Sequence, residues 1–294
     1  MTEIRGIYAA SVSIFDDNLN LDINKTILYA ENLINWKGCH GVAVFGSTGQ
    51  AQLISISEKI RLISKLSESK LKDKFILGTG LNSLSETINL INISNKLGFK
   101  VFLVMPPAYY KYTDEDVIKY YEKIIEKIPK VKIILYNFEK LCGYKFSIEC
   151  VEKLVKKFPK QIIGVKDSSY NLFEKLKIKN FSILPGSESK LLKGLNLGCS
   201  GIITATCNVT SALARKVYED FYANKEQTHN DKLCKVREVF EKFNLISALH
   251  TFLIDNDKQL KNIIPPLHLL NKNDEKKLFE DLKKLDFTND NFKL

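Results

Sequence analysis

The chain has 294 residues, of which 45% are hydrophobic and 27% are charged, and its formal net charge is +10. These values are ordinary for a globular domain and exclude disorder as a description of the whole chain. The positive charge is spread over nearly every predicted helix, and no basic run alternates with aromatic side chains, so we expect no nucleic-acid partner.

We expect a cytoplasmic protein with no membrane partner. No stretch of the sequence approaches the roughly 18 consecutive apolar residues that a membrane helix needs. Residues 1–5 lack the apolar segment of a secretion signal. The six cysteines form no C-x-x-C pair and have no histidine at ligand spacing. They are therefore predicted to be free thiols in a reducing compartment, without a metal site.

Eight short apolar runs, rich in β-branched residues, alternate along the chain with amphipathic segments. Continuous apolarity is typical of parallel strands that are buried on both faces. The predicted strands are 7–15, 41–45, 75–78, 101–105, 132–136, 162–166, 181–184 and 201–204. The amphipathic segments predict helices at 23–36, 58–71, 85–97, 114–128 and 147–158.

Eight strands that alternate with helices favour a closed barrel over an open doubly wound sheet. The turn at 14–18 lacks the glycine-rich sequence that a nucleotide-binding open sheet carries after its first strand. We predict an α/β fold, a TIM (β/α)8 barrel over residues 1–210, with a C-terminal helical extension over 211–294 in one compact unit. The extension is predicted to hold helices at 211–222, 231–249 and 274–285, with a break at 265–266.

In such a barrel the active site lies where the strands end at their carboxyl side. Lys166 closes the sixth apolar run. A lysine at the end of a buried strand is expected to be partly desolvated, which favours the neutral, nucleophilic amine. Such an amine attacks a ketone to form an imine, which then serves as an electron sink. The alternative is a lysine that leaves the strand for solvent.

Three other strand ends carry candidate groups. Gly46-Ser47-Thr48-Gly49 follows the second run, and its hydroxyls and amides suit a small carboxylate, although a plain turn also fits. Tyr136 ends the fifth run and is placed either to transfer protons or to pack at the barrel rim. The segment 106–110, P-P-A-Y-Y, follows the fourth run, and its tyrosines offer stacking and hydroxyl chemistry, although a subunit interface would also use such residues.

Together, G-S-T-G at 46–49, P-P-A-Y-Y at 106–110, Y-N at 136–137, G-V-K-D-S-S at 164–169 and P-G-S-E at 185–188 resemble the motifs of the N-acetylneuraminate lyase and dihydrodipicolinate synthase superfamily. The resemblance extends from about residue 5 to residues 265–267. It implies a class I aldolase or lyase that forms a Schiff base with pyruvate or another 2-oxo acid, without a metal or cofactor. It also implies a homotetramer, built as a dimer of dimers.

The resemblance assigns roles to individual residues. Lys166 would form the imine, Tyr136 would transfer protons, and Tyr109 would reach from a neighbouring subunit to complete a relay with Ser47 and Tyr136. Tyr110 is the alternative for that relay, one position along. The substrate-binding positions that the resemblance implies are Gly46, Ser47, Thr48, Leu141, Ser168, Glu188 and Ile203.

The sequence departs from the family pattern where the second substrate would bind. Family members that make dihydrodipicolinate carry an arginine at the position of Leu141, and leucine cannot form bidentate hydrogen bonds with a carboxylate. Lys140 is the nearest substitute. Sialic acid lyases use an acidic pair where this chain offers only Glu188, and Ala205 stands where a further hydroxyl is expected. Gln50 replaces the Glu that usually follows the G-S-T-G motif, and Glu139 replaces the Pro that usually stands two residues after the Y-N motif.

These departures favour a 2-oxo-3-deoxy sugar acid as substrate, with Glu188 and Ser168 binding its hydroxyl groups. Three alternatives stay open. The first is 4-hydroxy-tetrahydrodipicolinate synthase, which joins pyruvate and aspartate semialdehyde. The second is a sugar-acid dehydratase that uses the same imine. The third is a non-catalytic, ligand-binding barrel.

Overall fold

Eight parallel strands form one sheet that curves into a nearly closed barrel in the computed structural model, which describes residues 4–35 and 38–288. The strands are β1 (Gly6–Ala10), β2 (Gly41–Val44), β3 (Phe75–Gly78), β4 (Val101–Val104), β5 (Lys132–Asn137), β6 (Ile162–Asp167), β7 (Ser182–Pro185) and β8 (Gly201–Thr204). Their order in the sheet is β7-β6-β5-β4-β3-β2-β1-β8. The Ser200 N–H donates to the Ile183 carbonyl at 2.9 Å, which joins the two ends of the sheet. The predicted TIM barrel is confirmed.

The helices of the described residues are α1 (Ile23–Asn35), α2 (Ile56–Leu66), α3 (Leu84–Lys96), α4 (Asp114–Lys127), α5 (Glu139–Cys142), α6 (Ile148–Lys157), α7 (Leu191–Asn196), α8 (Cys207–Tyr222), α9 (Asn230–Glu241), α10 (Leu245–Leu253) and α11 (Lys272–Lys283). Side-chain hydroxyls cap several of them. Ser55 and Thr113 each accept from the third amide of their helix and complete a capping box. None of these described helices is long and apolar enough to cross a membrane.

The first strand is shorter than predicted. β1 ends at Ala10, and the apolar residues 11–15 leave the sheet. The Val12 N–H donates to the Asn208 side chain and the Ile14 N–H donates to the Thr26 hydroxyl, both in the buried interior. The apolarity of residues 11–15 therefore reflects burial against helices. The prediction that the first strand continues through these residues was wrong.

The predicted alternation of strand and helix fails between β6 and β7, where residues 168–181 contain no helix. The carboxylate of Asp167 holds the start of this loop by accepting from the amides of Tyr170, Leu172 and Phe173, each at 2.9 Å. These amides are satisfied by a side chain and so need no helical partners.

The C-terminal extension also differs from the prediction. The predicted helix 231–249 is two helices, α9 and α10, because Asn244 accepts from the Ser247 amide and starts a new helix. Helix α8 begins at Cys207 and so runs across the predicted boundary at residue 210. Trp36 of the predicted first helix, and residues 289–294 of the extension, lie outside the described residues.

Two layers of apolar side chains result from the alternation of side chains along each strand. One layer packs between the strands and the helices, including those of the extension. The other fills the barrel interior and includes Tyr8, Ile134, Tyr136 and Ile203. The register of β5 and β6 pairs Tyr136 with Lys166, so these two residues lie side by side at the carboxyl ends of their strands.

Candidate active site

Lys166 is buried near the end of β6, with only 3% of its surface exposed. Its Nζ atom lies 4.2 Å from the centroid of the Tyr136 ring, over the face of that ring. The lysine therefore does not leave the strand for solvent. A buried amine that borders a cavity is placed to react with a ligand rather than with bulk water.

Tyr136 connects this lysine to the loop after β2. Its hydroxyl lies 3.0 Å from Oγ of Ser47, which is hydrogen-bonding distance. Tyr136 is buried and Ser47 is half-buried, so the two hydroxyls lie at the edge of the barrel interior and are not fully enclosed. Two adjacent hydroxyls of this kind can pass a proton along the chain of hydrogen bonds.

The loop that carries Ser47 and Thr48 has an unusual backbone. Phe45 and Gln50 have positive φ values of 62° and 55°, in the region that favours glycine. Strained residues of this kind are concentrated at functional sites. Gly78 on β3 makes room for the turn, because a Cβ atom there would lie 2.1 Å from the Phe45 carbonyl oxygen. The turn therefore packs closely against β3.

Two cavities meet at this loop. A polar cavity of about 680 Å³ is lined by Ser47, Thr48, Tyr136, Lys166, Ser168 and Arg237, among others. An apolar cavity of about 500 Å³ adjoins it, with Leu53, Leu81, Met105, Pro106 and Leu267 in its wall. Both cavities share Ser47, Tyr136, Leu141 and Ile246. Lys166 lines the polar cavity, and the four shared residues connect that cavity to the apolar one.

Most of the predicted site residues are brought together. Lys166, Tyr136, Ser47, Thr48, Ser168 and Leu141 line the polar cavity. Gly46 lines the adjoining apolar cavity, and Ile203 is fully buried in the barrel interior with Tyr136. Leu141 is 44% exposed in the short helix α5.

Glu188 is placed differently from the prediction. Its side chain is fully buried and does not line either cavity. Its oxygens accept hydrogen bonds from the hydroxyls of Thr204, Thr206 at 2.5 Å and Thr210 at 3.0 Å, and Arg237 Nη1 lies 3.3 Å away. A buried carboxylate needs such partners. In this arrangement Glu188 has no direct contact with either cavity.

Tyr109 lies outside the site of its own chain. Its side chain is 89% exposed, and its ring packs edge to face on Tyr110 with 5.1 Å between the centroids. Its backbone has a φ of 87°, which is strained for a tyrosine. A contact with the site of a second subunit stays a prediction.

Arg237 and Glu241, which the sequence analysis missed, line the polar cavity from helix α9. A signal was present in the sequence. Arg237 stands four residues after Leu233 and three before Phe240, both buried, so it occupies a position that faces the core. An arginine at such a position requires a polar partner or a cavity.

Gln50, a departure from the family pattern, joins the loop after β2 to the extension. Its Oε1 accepts from the Ile264 amide at 2.9 Å, and its Nε2 lies 3.5 Å from Nε2 of His250. The other ring nitrogen of His250 lies 2.8 Å from the Leu260 carbonyl oxygen. Burial lowers the pKa of His250 to about 4, so the ring is neutral near pH 7. A neutral amide suits this neutral partner.

Comparisons with known proteins cover most of this chain. Residues 3–285 match the dihydrodipicolinate synthetase family. An uncharacterized DapA-like lyase of Chloroflexus aurantiacus is 29% identical over 261 residues, which cover 86% of this chain and 87% of that protein. An N-acetylneuraminate lyase of Clostridium perfringens is 31% identical over 222 residues, which cover 74% of this chain and 76% of that protein.

Solved structures share the fold. A dihydrodipicolinate synthase from Cyanidioschyzon merolae, with lysine bound, has a TM-score of 0.88 at 21% identity and covers 96% of this chain and 98% of its own. YagE, a prophage protein from E. coli K12 in complex with pyruvate, has a TM-score of 0.86 at 20% identity and covers 97% of this chain and 99% of its own. The match over nearly the whole sequence confirms the resemblance in the motifs: the chain belongs to the dihydrodipicolinate synthetase family.

Proposed function

We propose that this protein is a pyruvate-dependent class I aldolase or lyase whose Lys166 forms a Schiff base with a 2-oxo acid, without a metal or cofactor. The family and the names of the relatives support a lyase of the dihydrodipicolinate synthase and N-acetylneuraminate lyase type. The observation that carries the proposal is the buried Lys166 amine beside Tyr136 and Ser47 in one cavity.

The reaction follows from these groups. The Lys166 amine adds to the C2 carbonyl of the 2-oxo acid, and loss of water gives a protonated imine. In cleavage, a proton leaves the C4 hydroxyl, the C3–C4 bond breaks, and its electrons enter the imine to form an enamine and a free aldehyde. The enamine is then protonated and hydrolysed to pyruvate. Tyr136, hydrogen-bonded to Ser47, is placed to carry these protons.

The loop after β2 would hold the carboxylate of the 2-oxo acid. Ser47 and Thr48 both line the cavity that contains Lys166. Hydroxyl groups and turn amides can bind an anion without a neighbouring full positive charge. Close packing of this turn against Gly78 would keep these donors in place before the ligand arrives.

We propose a 2-oxo-3-deoxy sugar acid as the substrate. Leu141 lines the cavity where a carboxylate-binding arginine would stand, and its side chain offers no donor. The alternative, synthesis of 4-hydroxy-tetrahydrodipicolinate from pyruvate and aspartate semialdehyde, would depend on Lys140, which lines the same cavity. A dehydratase that uses the same imine is a further alternative, whereas a non-catalytic barrel would leave the Lys166 and Tyr136 arrangement without a purpose.

A cytoplasmic homotetramer, built as a dimer of dimers, is part of the proposal. Tyr109 and Tyr110 expose two large rings side by side, which is typical of a protein interface. A second subunit that buried these rings would bring Tyr109 to a neighbouring site.

Borohydride reduction in the presence of pyruvate tests the proposal. We expect one reduced pyruvyl group on Lys166, identified by peptide mass spectrometry. Lys140→Ala is the matched control, because Lys140 lines the same cavity but is exposed, and this variant should still be labelled. Lys166→Ala should not be labelled. A wild-type protein without the adduct, or a Lys166→Ala variant that still gains it, would disprove the imine.

A further inference from the structure

We infer that Arg237 and Glu241, on helix α9 of the extension, form the part of the site that binds the hydroxylated tail of the substrate. The inference rests on the proposed function and names the groups that select its substrate. Both residues line the polar cavity that also contains Lys166. A substrate joined to Lys166 therefore extends into a space whose wall includes them.

The guanidinium of Arg237 is fixed before any ligand binds. Its Nε donates to Glu241 at 2.7 Å, and its Nη1 donates to the Thr206 hydroxyl at 2.8 Å and lies 3.3 Å from Glu188. The side chain is almost fully buried, so the small exposed part borders the cavity. These bonds use Nε and Nη1, which leaves Nη2 as the donor for a ligand. A preorganised donor loses little entropy when it binds.

Glu188 acts here as a positioning residue. Three threonine hydroxyls surround its carboxylate, and its negative charge lies against the Arg237 guanidinium. The charge compensates the burial of the arginine, which would otherwise be costly. The single acid of the P-G-S-E motif thus contributes to the site by holding Arg237.

The local charge selects against an acidic tail. Two carboxylates, Glu188 and Glu241, face one guanidinium, so the group carries a net negative charge. Lys140 also lines the cavity, but the neighbouring Glu139 lines it too and offsets its charge, and both side chains are exposed. A neutral hydroxyl can accept from Arg237 and donate to Glu241 at the same time. A polyhydroxyl chain satisfies both groups, and a terminal carboxylate would be repelled.

The test compares three six-carbon 2-oxo acids as substrates for borohydride trapping on Lys166. One is a 2-oxo-3-deoxy sugar acid, the second is 2-oxohexanoate, which has no tail hydroxyls, and the third is 2-oxoadipate, which has an acidic tail. Pyruvate, which has no tail, is the reference. Mass spectrometry separates six-carbon adducts from the pyruvyl adduct that cleavage would leave, so the measurement does not depend on turnover.

We expect the sugar acid to reach half-saturation at a concentration roughly tenfold below that of the other two acids, because hydrogen bonds to charged groups are strong. Glu241→Ala should remove most of this preference, measured as the ratio of the half-saturation concentrations of the sugar acid and of pyruvate in the same variant. Glu238→Ala is the matched control, since Glu238 is exposed on the same helix and should keep the preference. Arg237→Lys, which retains a positive charge beside Glu188, should also lower the preference.

The outcomes separate this inference from the proposed function. If pyruvate is trapped but the wild type shows no preference for the sugar acid, or if Glu241→Ala retains the preference, the inference is wrong and the imine chemistry stands. Tightest binding of 2-oxoadipate would likewise overturn it. If no 2-oxo acid is trapped, the proposed function fails and the inference fails with it.

Discussion

The Nζ atom of Lys166 lies over the face of the Tyr136 ring, 4.2 Å from its centroid. The face of an aromatic ring is electron-rich and attracts a positive charge. The protonated imine that we propose on Lys166 would carry such a charge near this position. The hydroxyl of the same tyrosine contacts Ser47, so one side chain would both stabilise the cation and transfer protons.

Tyr136→Phe separates these two roles, because it removes the hydroxyl and keeps the ring. We expect turnover to fall by roughly 10²- to 10⁴-fold, the usual effect of losing a general acid–base group. Release of pyruvate from a 2-oxo-3-deoxy sugar acid, coupled to lactate dehydrogenase, measures the rate. Tyr222→Phe, at a half-exposed tyrosine of α8, is the control and should retain wild-type turnover. Equal rates for Tyr136→Phe and wild type would remove Tyr136 from the proton path.

Gly46→Ala tests whether the loop after β2 needs space for a ligand. A Cβ atom at Gly46 would meet only the Ala10 Cβ, at 3.8 Å, so the fold should accept it with a change in unfolding free energy within about 0.5 kcal/mol. The added methyl group would enter the apolar cavity next to Ser47, which both cavities share, and we expect it to weaken pyruvate binding severalfold. Thermal unfolding and borohydride trapping measure the two effects.

Gly78→Ala is the contrasting variant. Its Cβ would lie 2.1 Å from the Phe45 carbonyl oxygen, and we expect a loss of about 1–3 kcal/mol or more in unfolding free energy. If Gly46→Ala bound pyruvate as tightly as wild type, the bound pyruvate would not lie against Gly46.

Leu141→Arg tests why this chain would prefer a sugar acid. Leu141 lines the polar cavity and is half-exposed, so an arginine can reach the ligand without entering the core. We expect kcat/KM for aspartate semialdehyde to rise roughly tenfold, because a bidentate pair with its carboxylate becomes available. Leu28→Arg, at an exposed leucine of α1, is the control. High activity of the wild type with aspartate semialdehyde would argue against our substrate assignment.

From the burial of His250 we expect the unfolding free energy to depend on pH. Burial lowers the pKa of its ring to about 4, whereas an unfolded histidine titrates near 6.5. Between these values the unfolded chain binds the extra proton, so the unfolding free energy falls as the pH drops from about 6.5 to about 4, by roughly 3 kcal/mol. Burial lowers the pKa of His40 to about 4 as well, which adds a loss of the same sign.

Urea unfolding of wild type and His250→Gln at several pH values measures this effect. The variant should lose part of the pH dependence, and the part that His40 contributes should remain. His268→Gln, at an exposed histidine, should keep the whole dependence. Identical pH profiles for wild type and His250→Gln would contradict the assignment.

The order of the strands and the residues that close them could be predicted from the sequence. Parallel βα units bring the carboxyl ends of all strands to one rim, so Ser47, Tyr136 and Lys166, which are far apart in sequence, were expected to meet, and they do. The apolar runs were less informative about secondary structure. At 11–15 the apolarity reflects burial against helices, and at 168–181 the Asp167 carboxylate replaces the helix that alternation predicted.

The sequence by itself determined the barrel and which residues close its strands at the rim, because both follow from local periodicity and from motifs at strand ends. Only the tertiary structure decided which groups line the polar cavity besides the strand-end residues. The P-G-S-E motif indicated Glu188 as a binding residue. In the structure, Arg237 of α9 lines the cavity instead, and Glu188 contacts its guanidinium from the buried side. The partners of a buried charge come from distant segments, and a sequence pattern carries no information about how those segments pack.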